Sequence, residues 1–198
     1  MASILLTAFQ PYDRWTSNSS WLTLVELTRQ LPVDLQVTTR LYPVDYDAAR
    51  EAVLADLRDN YDVALHLGQA PGINRIHLEA LAINVRQQPG QPAIPLLSDG
   101  PLAYQSTLPL ARWGSELVAR GFPAAVSWHA GTYLCNALLY YSLHSAHVLG
   151  LKTAACFVHV PLDVSQIMTE PAGTPSLPVA YSAAAIHCLL GEIERGEY

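Results

Sequence analysis

The residue best placed to do chemistry in this chain is a cysteine that follows a turn of small residues. The segment 130–136 reads AGTYLCN and brings Cys135 to the first turn of a predicted helix, 135–149, which ends at Gly150. A helix start presents unpaired N–H groups and the positive end of the helix dipole, which favour a thiolate and could bind an oxyanion. Cys135 is therefore placed for acyl transfer, provided that a base can reach it.

The other two cysteines are predicted to lie in the core. Cys156 belongs to the apolar run AACFV, and Cys188 lies inside the apolar segment 183–190, so the surroundings of both suppress the thiolate. Three widely spaced cysteines fit neither a disulfide framework nor a CxxC metal site. We therefore expect free thiols in a reducing compartment.

Seven histidines compete for the role of base. His159 ends a predicted strand directly before Pro161, at the sheet edge where Cys135 should also lie. His77 and His129 lie in or near candidate site loops and stay open as alternatives. The other four lie inside predicted strands or helices, without the carboxylate or cysteine cluster that a metal site needs, so we expect no metal; they are His66, His144, His147 and His187.

A histidine base needs an orienting group, which is usually a carboxylate. Glu79 is a candidate because apolar residues flank it in the run IHLEALAI, where an unpaired charge would be costly. A solvent-facing position on an alternating strand explains Glu79 equally well. The chain carries no GxSxG elbow, P-loop, GxGxxG after the first strand, or HExxH motif.

Composition narrows the class of protein. The chain has 198 residues, 51% of them hydrophobic and 14% charged, which predicts one α/β domain over 1–198 rather than disorder. A net charge of −6 without a basic stripe argues against nucleic acid as a partner. The apolar runs are too short to cross a membrane, and the start lacks the basic region of a signal peptide, so we expect a cytoplasmic protein.

Hydrophobic periodicity predicts strands and helices in alternation. The predicted strands are 3–9, 35–44, 62–67, 124–128 and 153–160, and the predicted helices are 20–31, 46–60, 110–120, 135–149 and 179–194. The segment 76–85 is predicted to be extended, although 78–81 also fits a helix, and the Pro/Gly-rich segments 86–101 and 168–178 are predicted loops. This alternation favours a single-domain α/β/α sandwich with a mostly parallel, twisted central sheet.

Sites in such sheets form beyond the carboxyl ends of the strands. The loops 9–18, 68–74 and 128–135 each follow a predicted strand, and His159 ends another. We therefore expect these segments to meet at one edge of the sheet.

Eight short motifs follow one another in an order that is specific when taken together. The chain carries AFQPY at 8–12, NSSW at 18–21, GQAPGI at 68–73 followed by Glu79 and AIN at 82–84, then DGP at 99–101, STLP at 106–109, AGTYLCN at 130–136 and HVP at 159–161. With these motifs the chain resembles, over essentially its whole length, the type I pyroglutamyl peptidases. Members of that family are cysteine exopeptidases that remove an N-terminal pyroglutamate.

The resemblance implies a catalytic triad. Cys135 is the expected nucleophile, His159 the general base and then acid, and Glu79 its orienting partner. These are also the residues that stand out by type and position. The implied reaction is hydrolysis of the amide bond after an N-terminal pyroglutamyl residue through a thioester, without a metal or organic cofactor.

The resemblance also implies a substrate pocket. Phe9 and Tyr12 are expected to flank the lactam ring, Gln69 or nearby backbone to pair with its amide, and Asn18 to lie in the same pocket. The implied partners are peptides with an N-terminal pyroglutamate, and the family together with apolar loop residues such as those at 94–97 makes a homo-oligomer the expected assembly.

The chain departs from the family's pattern around the pocket. Ala8 replaces a glycine, Tyr12 a phenylalanine, Pro71 a glycine, and Ile73 and Ala80 arginines. Two alternatives therefore stay open: a hydrolase of a related N-acyl or lactam amide, and a ligand-binding homologue without catalysis.

Overall fold

A six-stranded sheet with helices on both faces forms the centre of the molecule. The computed structural model describes residues 2–29, 31, 35–88 and 90–198. The strands are β1 Ser3–Phe9, β2 Gln36–Tyr42, β3 Val63–Gln69, β4 Ile76–Glu79, β5 Leu81–Ile83, β6 Ala103–Gln105, β7 Ala124–Ser127 and β8 Ala154–Val160. The α-helices are α1 Ser19–Thr28, α2 Tyr46–Asp56, α3 Leu110–Ala119, α4 Leu134–Leu149 and α5 Val179–Glu194, and short 3₁₀ turns cover Leu57–Asp59 and Val164–Ile167.

The central sheet is mixed but mostly parallel, as the sequence predicts. Its strand order is β2-β1-β3-β8-β4-β7. The strands β2, β1, β3 and β8 run parallel, whereas β4 pairs antiparallel with β8 and parallel with β7. β4 and β7 therefore run against the other four strands.

This reversal corrects one expectation from the sequence. The loop 128–135 does follow a strand, but the carboxyl end of β7 points away from the carboxyl ends of β1, β3 and β8. The chain must return along the sheet before α4 begins at Leu134. It is the start of this helix, and not the end of β7, that brings Cys135 to the shared edge.

Two hydrophobic clusters lie on opposite faces of the sheet. The helices α1, α3 and α5 cover one face, where Leu27, Trp113 and Ile186 are buried. The helices α2 and α4 cover the other face, with Val53 and Leu138 among the buried side chains. The predicted three-layer α/β/α arrangement is confirmed.

Local signals in the sequence explain several helix ends. The Asn18 side chain accepts a hydrogen bond from the Ser20 N–H at the start of α1, and the Asp45 side chain accepts from two N–H groups at the start of α2. α4 ends at Gly150, whose φ of 64° is a left-handed conformation that favours glycine. α1 ends at Thr28, earlier than predicted, and Gln30 of the predicted helix lies outside the described residues.

The segment after β3 differs most from its prediction. The predicted extended run 76–85 divides at Ala80 into β4, in the main sheet, and β5, which pairs with the unpredicted strand β6 in a separate two-stranded sheet. The following loop contains an antiparallel bridge between Arg86 and Ile94, while Pro89 of that loop lies outside the described residues. Within the described part of the chain, no helix is long and apolar enough to cross a membrane.

Candidate active site

The start of α4 presents Cys135 together with uncapped backbone N–H groups. Gly131, at a φ of 81°, makes the turn before the helix, and its N–H donates to Nδ1 of His129 at 3.0 Å. Tyr133 is the extended residue before the first helical turn, and among the described residues no side chain caps this helix start. These N–H groups can therefore stabilise an oxyanion that forms next to the thiol.

Asn136 anchors the helix start to its neighbour β5. Its side-chain oxygen accepts from the Ile83 N–H at 2.8 Å, and its amide group donates to the carbonyls of Ile83 at 2.9 Å and Val85 at 2.8 Å. Because Asn136 is only 1% exposed, these bonds are strongly favoured over contact with water. They fix the position of the preceding residue, Cys135.

A buried histidine and carboxylate lie next to each other on β8 and β4. His159 Nδ1 donates to Glu79 Oε1 at 2.8 Å, with the two residues 8% and 1% exposed. Glu79 pairs with Phe157 across the two strands, so its side chain lies on the same face as His159, two residues further along β8. Among the described groups, Glu79 Oε2 has no hydrogen-bond partner, although Ser127 lies close enough to help stabilise the charge.

The electrostatics of this cluster favour charged forms of both groups. Burial alone would lower the pKa of His159, but the charge of Cys135, a hydrogen bond with its side chain and the Glu79 carboxylate together raise it above its ordinary value. Burial would raise the pKa of Glu79, and the bond and charge of His159 outweigh this and lower it. The arrangement can hold a proton on His159 between a thiolate and a carboxylate.

The two other candidate bases have different surroundings. His77 pairs with His159 across β4 and β8, and its Nδ1 lies 4.0 Å from Glu79 Oε1 with the side chain 29% exposed. Burial is the main cause of a lowered pKa at His77, although the Glu79 charge opposes it. His129 accepts a backbone N–H in the turn before Cys135. Of the three histidines, His159 alone has a hydrogen bond to Glu79 and lies close enough to Cys135 for that residue to raise its pKa.

The ring of Phe157 packs beside those of His159 and Phe9. The absence of a side chain at Gly68 allows the Phe157 ring to lie there. The Phe157 ring lies 4.8 Å from the His159 ring and 6.1 Å from that of Phe9, measured between centroids. A Cβ at Gly68 would meet the Phe157 ring at 2.4 Å and Cys135 Sγ at 3.3 Å. The end of β3 can approach both residues only because residue 68 has no side chain.

A small pocket opens beside the thiol. Its volume is about 40 Å³, and it is lined by Phe9, Tyr12, Asn18, Val44, Gln69, Tyr133, Leu134 and Cys135. None of these residues is an Asp, Glu, Lys or Arg, so the pocket suits a small neutral group. It adjoins an open groove of about 880 Å³, which shares Tyr12, Val44 and Tyr133 with the pocket.

The side-chain oxygen of Gln69 is fixed by hydrogen bonds, whereas its side-chain nitrogen is available. Its Oε1 accepts from the Ser19 N–H at 2.8 Å and from Gln166 Nε2 at 2.8 Å. Because a backbone N–H can only donate, the atom that it contacts must be the oxygen. The Gln69 Nε2 group is buried and without a hydrogen-bond partner among the described residues, which makes it a donor available to a ligand in the pocket.

The sequence named some pocket residues and missed others. Phe9, Tyr12, Asn18 and Gln69 line the pocket together, but the polar atoms of Asn18 cap α1 and bind the Gln10 carbonyl, so it contributes to the wall rather than a free polar group. Sequence reasoning did not single out Val44, Tyr133, Leu134 or Gln166. Val44 follows a parallel strand and Tyr133 precedes the cysteine, so their positions in the sequence could have indicated a place in the pocket. No feature of the sequence indicated Gln166.

A thiol, an imidazole and a carboxylate arranged in this way at the edge of an α/β/α sandwich are characteristic of the cysteine hydrolases. A family model described as Pyroglutamyl peptidase matches residues 2–194, and the chain belongs to that family.

Named relatives and a solved structure agree with this membership. A pyrrolidone-carboxylate peptidase of Clavibacter michiganensis is 35% identical over 174 residues, covering 84% of this chain and 81% of the relative. Another from Pectobacterium atrosepticum is 30% identical over 201 residues, covering 98% and 93%. The pyrrolidone carboxyl peptidase of Fervidobacterium islandicum AW-1 superimposes with a TM-score of 0.92 at 30% identity, covering 98% of this chain and 99% of that one. The family predicted from the motifs is confirmed.

Proposed function

We propose that this protein hydrolyses the amide bond after an N-terminal pyroglutamyl residue, with Cys135, His159 and Glu79 as its catalytic residues. The observation that carries the proposal is the buried His159–Glu79 hydrogen bond of 2.8 Å beside a cysteine at an uncapped helix start. Family membership supplies the substrate class, and the adjoining neutral pocket is compatible with it.

The first half of the reaction forms a thioester. The Cys135 thiolate attacks the scissile carbonyl carbon, an S–C bond forms, and the C=O π electrons move to the oxygen, where the N–H groups at the start of α4 stabilise the charge. When the C=O bond re-forms, the C–N bond breaks. The His159 imidazolium gives its proton to the departing amine.

The second half releases the acid and restores the site. A water molecule attacks the thioester carbonyl while neutral His159 accepts its proton. Collapse of this intermediate breaks the S–C bond and leaves a thiolate next to a protonated His159. Glu79 keeps the imidazole in one orientation and stabilises its charge throughout.

The pocket accounts for recognition of a ring without charge. Phe9 and Tyr12 flank the lactam, and the free Gln69 Nε2 donates to the lactam carbonyl. The remainder of the peptide extends into the adjoining groove of about 880 Å³. The two hydrophobic clusters on one sheet support a single catalytic domain over 1–198.

A fluorogenic pyroglutamyl amide tests the activity directly. We expect fluorophore release by the wild type and none above background by Cys135→Ala, because the variant lacks the nucleophile. Cys188→Ala on α5 is the matched control, and it should retain wild-type release. A wild type that releases no fluorophore, or a Cys135→Ala variant with full activity, would contradict the proposal.

The alternatives left open by the sequence are not favoured by the family match and the relatives' names. A cytoplasmic location and a homo-oligomer stay predictions. Size-exclusion chromatography with light scattering would measure the assembly.

A further inference from the structure

Tyr12 lines the pocket from a tight backbone turn. The Tyr12 carbonyl accepts from the Trp15 N–H at 3.1 Å, and the intervening Asp13 has a φ of 52°, so a tight turn fixes the backbone. The side chain is half-buried and lines both the pocket and the groove.

Tyr12 and the free end of the Gln69 side chain line the same pocket. The Gln69 side chain acts on the Tyr12 hydroxyl as a hydrogen-bond donor does, lowering its pKa, yet Gln69 Nε2 completes no regular hydrogen bond within the described part of the chain. Burial and then the charge of Cys135 outweigh this effect and raise the pKa of Tyr12 to about 12. The phenol is therefore neutral at physiological pH, and its oxygen remains an acceptor.

In an otherwise apolar pocket, the Tyr12 hydroxyl oxygen offers a hydrogen-bond acceptor and Gln69 Nε2 offers a donor. Gln69 cannot turn its oxygen toward the pocket because Ser19 and Gln166 both donate to it. Asn18 offers no free alternative, since its amide is engaged by α1 and Gln10. A complementary ligand must carry a carbonyl next to an N–H on the same edge.

A five-membered lactam has this edge because the ring holds its amide in the cis form. We propose that Tyr12 is a specificity-determining residue whose hydroxyl oxygen accepts the lactam N–H while Gln69 Nε2 donates to the lactam carbonyl. The inference rests on the proposed function and adds a selection for N–H at the ring position next to the carbonyl. A ring that retains the carbonyl but has oxygen in place of N–H would leave Tyr12 without a donor.

Two substrates that differ in this one group test the inference. They are the pyroglutamyl amide and the 5-oxotetrahydrofuran-2-carbonyl amide of the same fluorophore, compared by kcat/KM. We expect the wild type to prefer the lactam, and Tyr12→Phe to reduce that preference by roughly 5- to 100-fold, the usual effect of leaving one buried polar group unpaired. The loss should fall on the lactam and spare the lactone.

Tyr181→Phe is the matched control, because it also removes a phenol hydroxyl but from α5, outside the pocket and the groove. It should leave the lactam-to-lactone ratio at its wild-type value, and thermal unfolding shows whether each variant is folded. A ratio that Tyr12→Phe leaves unchanged overturns the inference while the proposed function stands. If the wild type cleaves neither amide, it is the proposed function that fails. For a Tyr12→Phe variant that does not fold, Tyr12→Trp, which also lacks an acceptor at this position, gives the same comparison.

Discussion

A carboxylate that is 1% exposed is tolerated at Glu79 because an opposite charge lies against it. The 2.8 Å bond from His159 compensates one oxygen, and Ser127 helps to stabilise the charge, although the second oxygen has no regular partner among the described residues. A buried ion of this kind contributes little to stability by itself, since desolvation opposes the attraction. Its value is in orienting the imidazole toward Cys135.

Glu79→Gln separates the charge of this residue from its shape. We expect kcat to fall by roughly two to four orders of magnitude, because an amide can donate to His159 Nδ1 and select the wrong tautomer. The lost negative charge also lowers the pKa of His159, which Glu79 helps to raise. Since His159 must be protonated to release the amine, the alkaline limb of the pH–rate profile should move to lower pH.

The measurement is kcat/KM against pH for the wild type and the variant. Glu116→Gln, on the exposed face of α3, is a control that also removes one carboxylate and should keep the wild-type profile. An alkaline limb that does not move in Glu79→Gln would show that this carboxylate does not set the charge of His159.

Among the strands and helices, the sequence predicts those whose bounds are set by a local pattern of apolar residues. The bounds of β1 and α5 agree with their predictions, because each is a continuous apolar pattern between clear breaks. The direction of β4 could not be predicted, since it depends on pairing with β8 about 80 residues later in the chain. The three-residue strand β6 carries too short a pattern for recognition.

The residues of the site also divide into those that the local sequence reveals and those that only long-range contacts bring into place. Cys135, His159 and Glu79 stand out by residue type and by their places at a helix start, a strand end and an apolar run. Gln166 lies 97 positions from Gln69 and fixes its orientation through a contact that exists only in the folded chain. The sequence named Gln69, but which end of its side chain is free to bind a ligand could not be predicted from the sequence.

Close packing between β3 and α4 gives a prediction at Gly68. Gly68→Ala places a Cβ 2.4 Å from the Phe157 ring and 3.3 Å from Cys135 Sγ, so the ring must move and the thiol must shift by a few tenths of an ångström. We expect a loss of about 1–3 kcal/mol in the free energy of unfolding. Activity should fall more than stability implies, because the thiol moves relative to His159.

Urea unfolding and kcat/KM measure the two effects. Gly191→Ala in α5 is the matched control: the nearest atom to its added Cβ is an Arg195 side-chain nitrogen at 3.6 Å, so it should stabilise the helix by up to about 1 kcal/mol. If Gly68→Ala is as stable and as active as the wild type, the close approach is not a constraint.

A buried polar cluster joins the sheet to its helical layer. His66 on β3 lies between Thr7 on β1 and Ser142 on α4, at 2.9 Å from each side-chain oxygen, and all three are fully buried. Ser142 donates to the Leu138 carbonyl, so it accepts from His66 Nε2, and Thr7 donates to Nδ1. This arrangement requires a neutral imidazole.

The neutral His66 predicts how the stability of the molecule depends on pH. Burial lowers its pKa from 6.5 to about 3, so the unfolded chain binds a proton more readily than the folded one. Stability from this group is present above pH 6.5 and is lost as the pH falls from there toward 3. The expected loss is about 3 kcal/mol by pH 4.5 and about 5 kcal/mol in full.

His159, with a raised pKa, acts in the opposite direction but is common to the wild type and to any His66 variant. Urea unfolding of the wild type and His66→Gln at pH 7.5 and 4.5 should therefore give a steeper acid loss for the wild type. If His66→Gln does not fold, NMR titration of the wild type tests the same point, since an imidazole of His66 that becomes protonated near pH 6 in the folded protein would contradict the expectation.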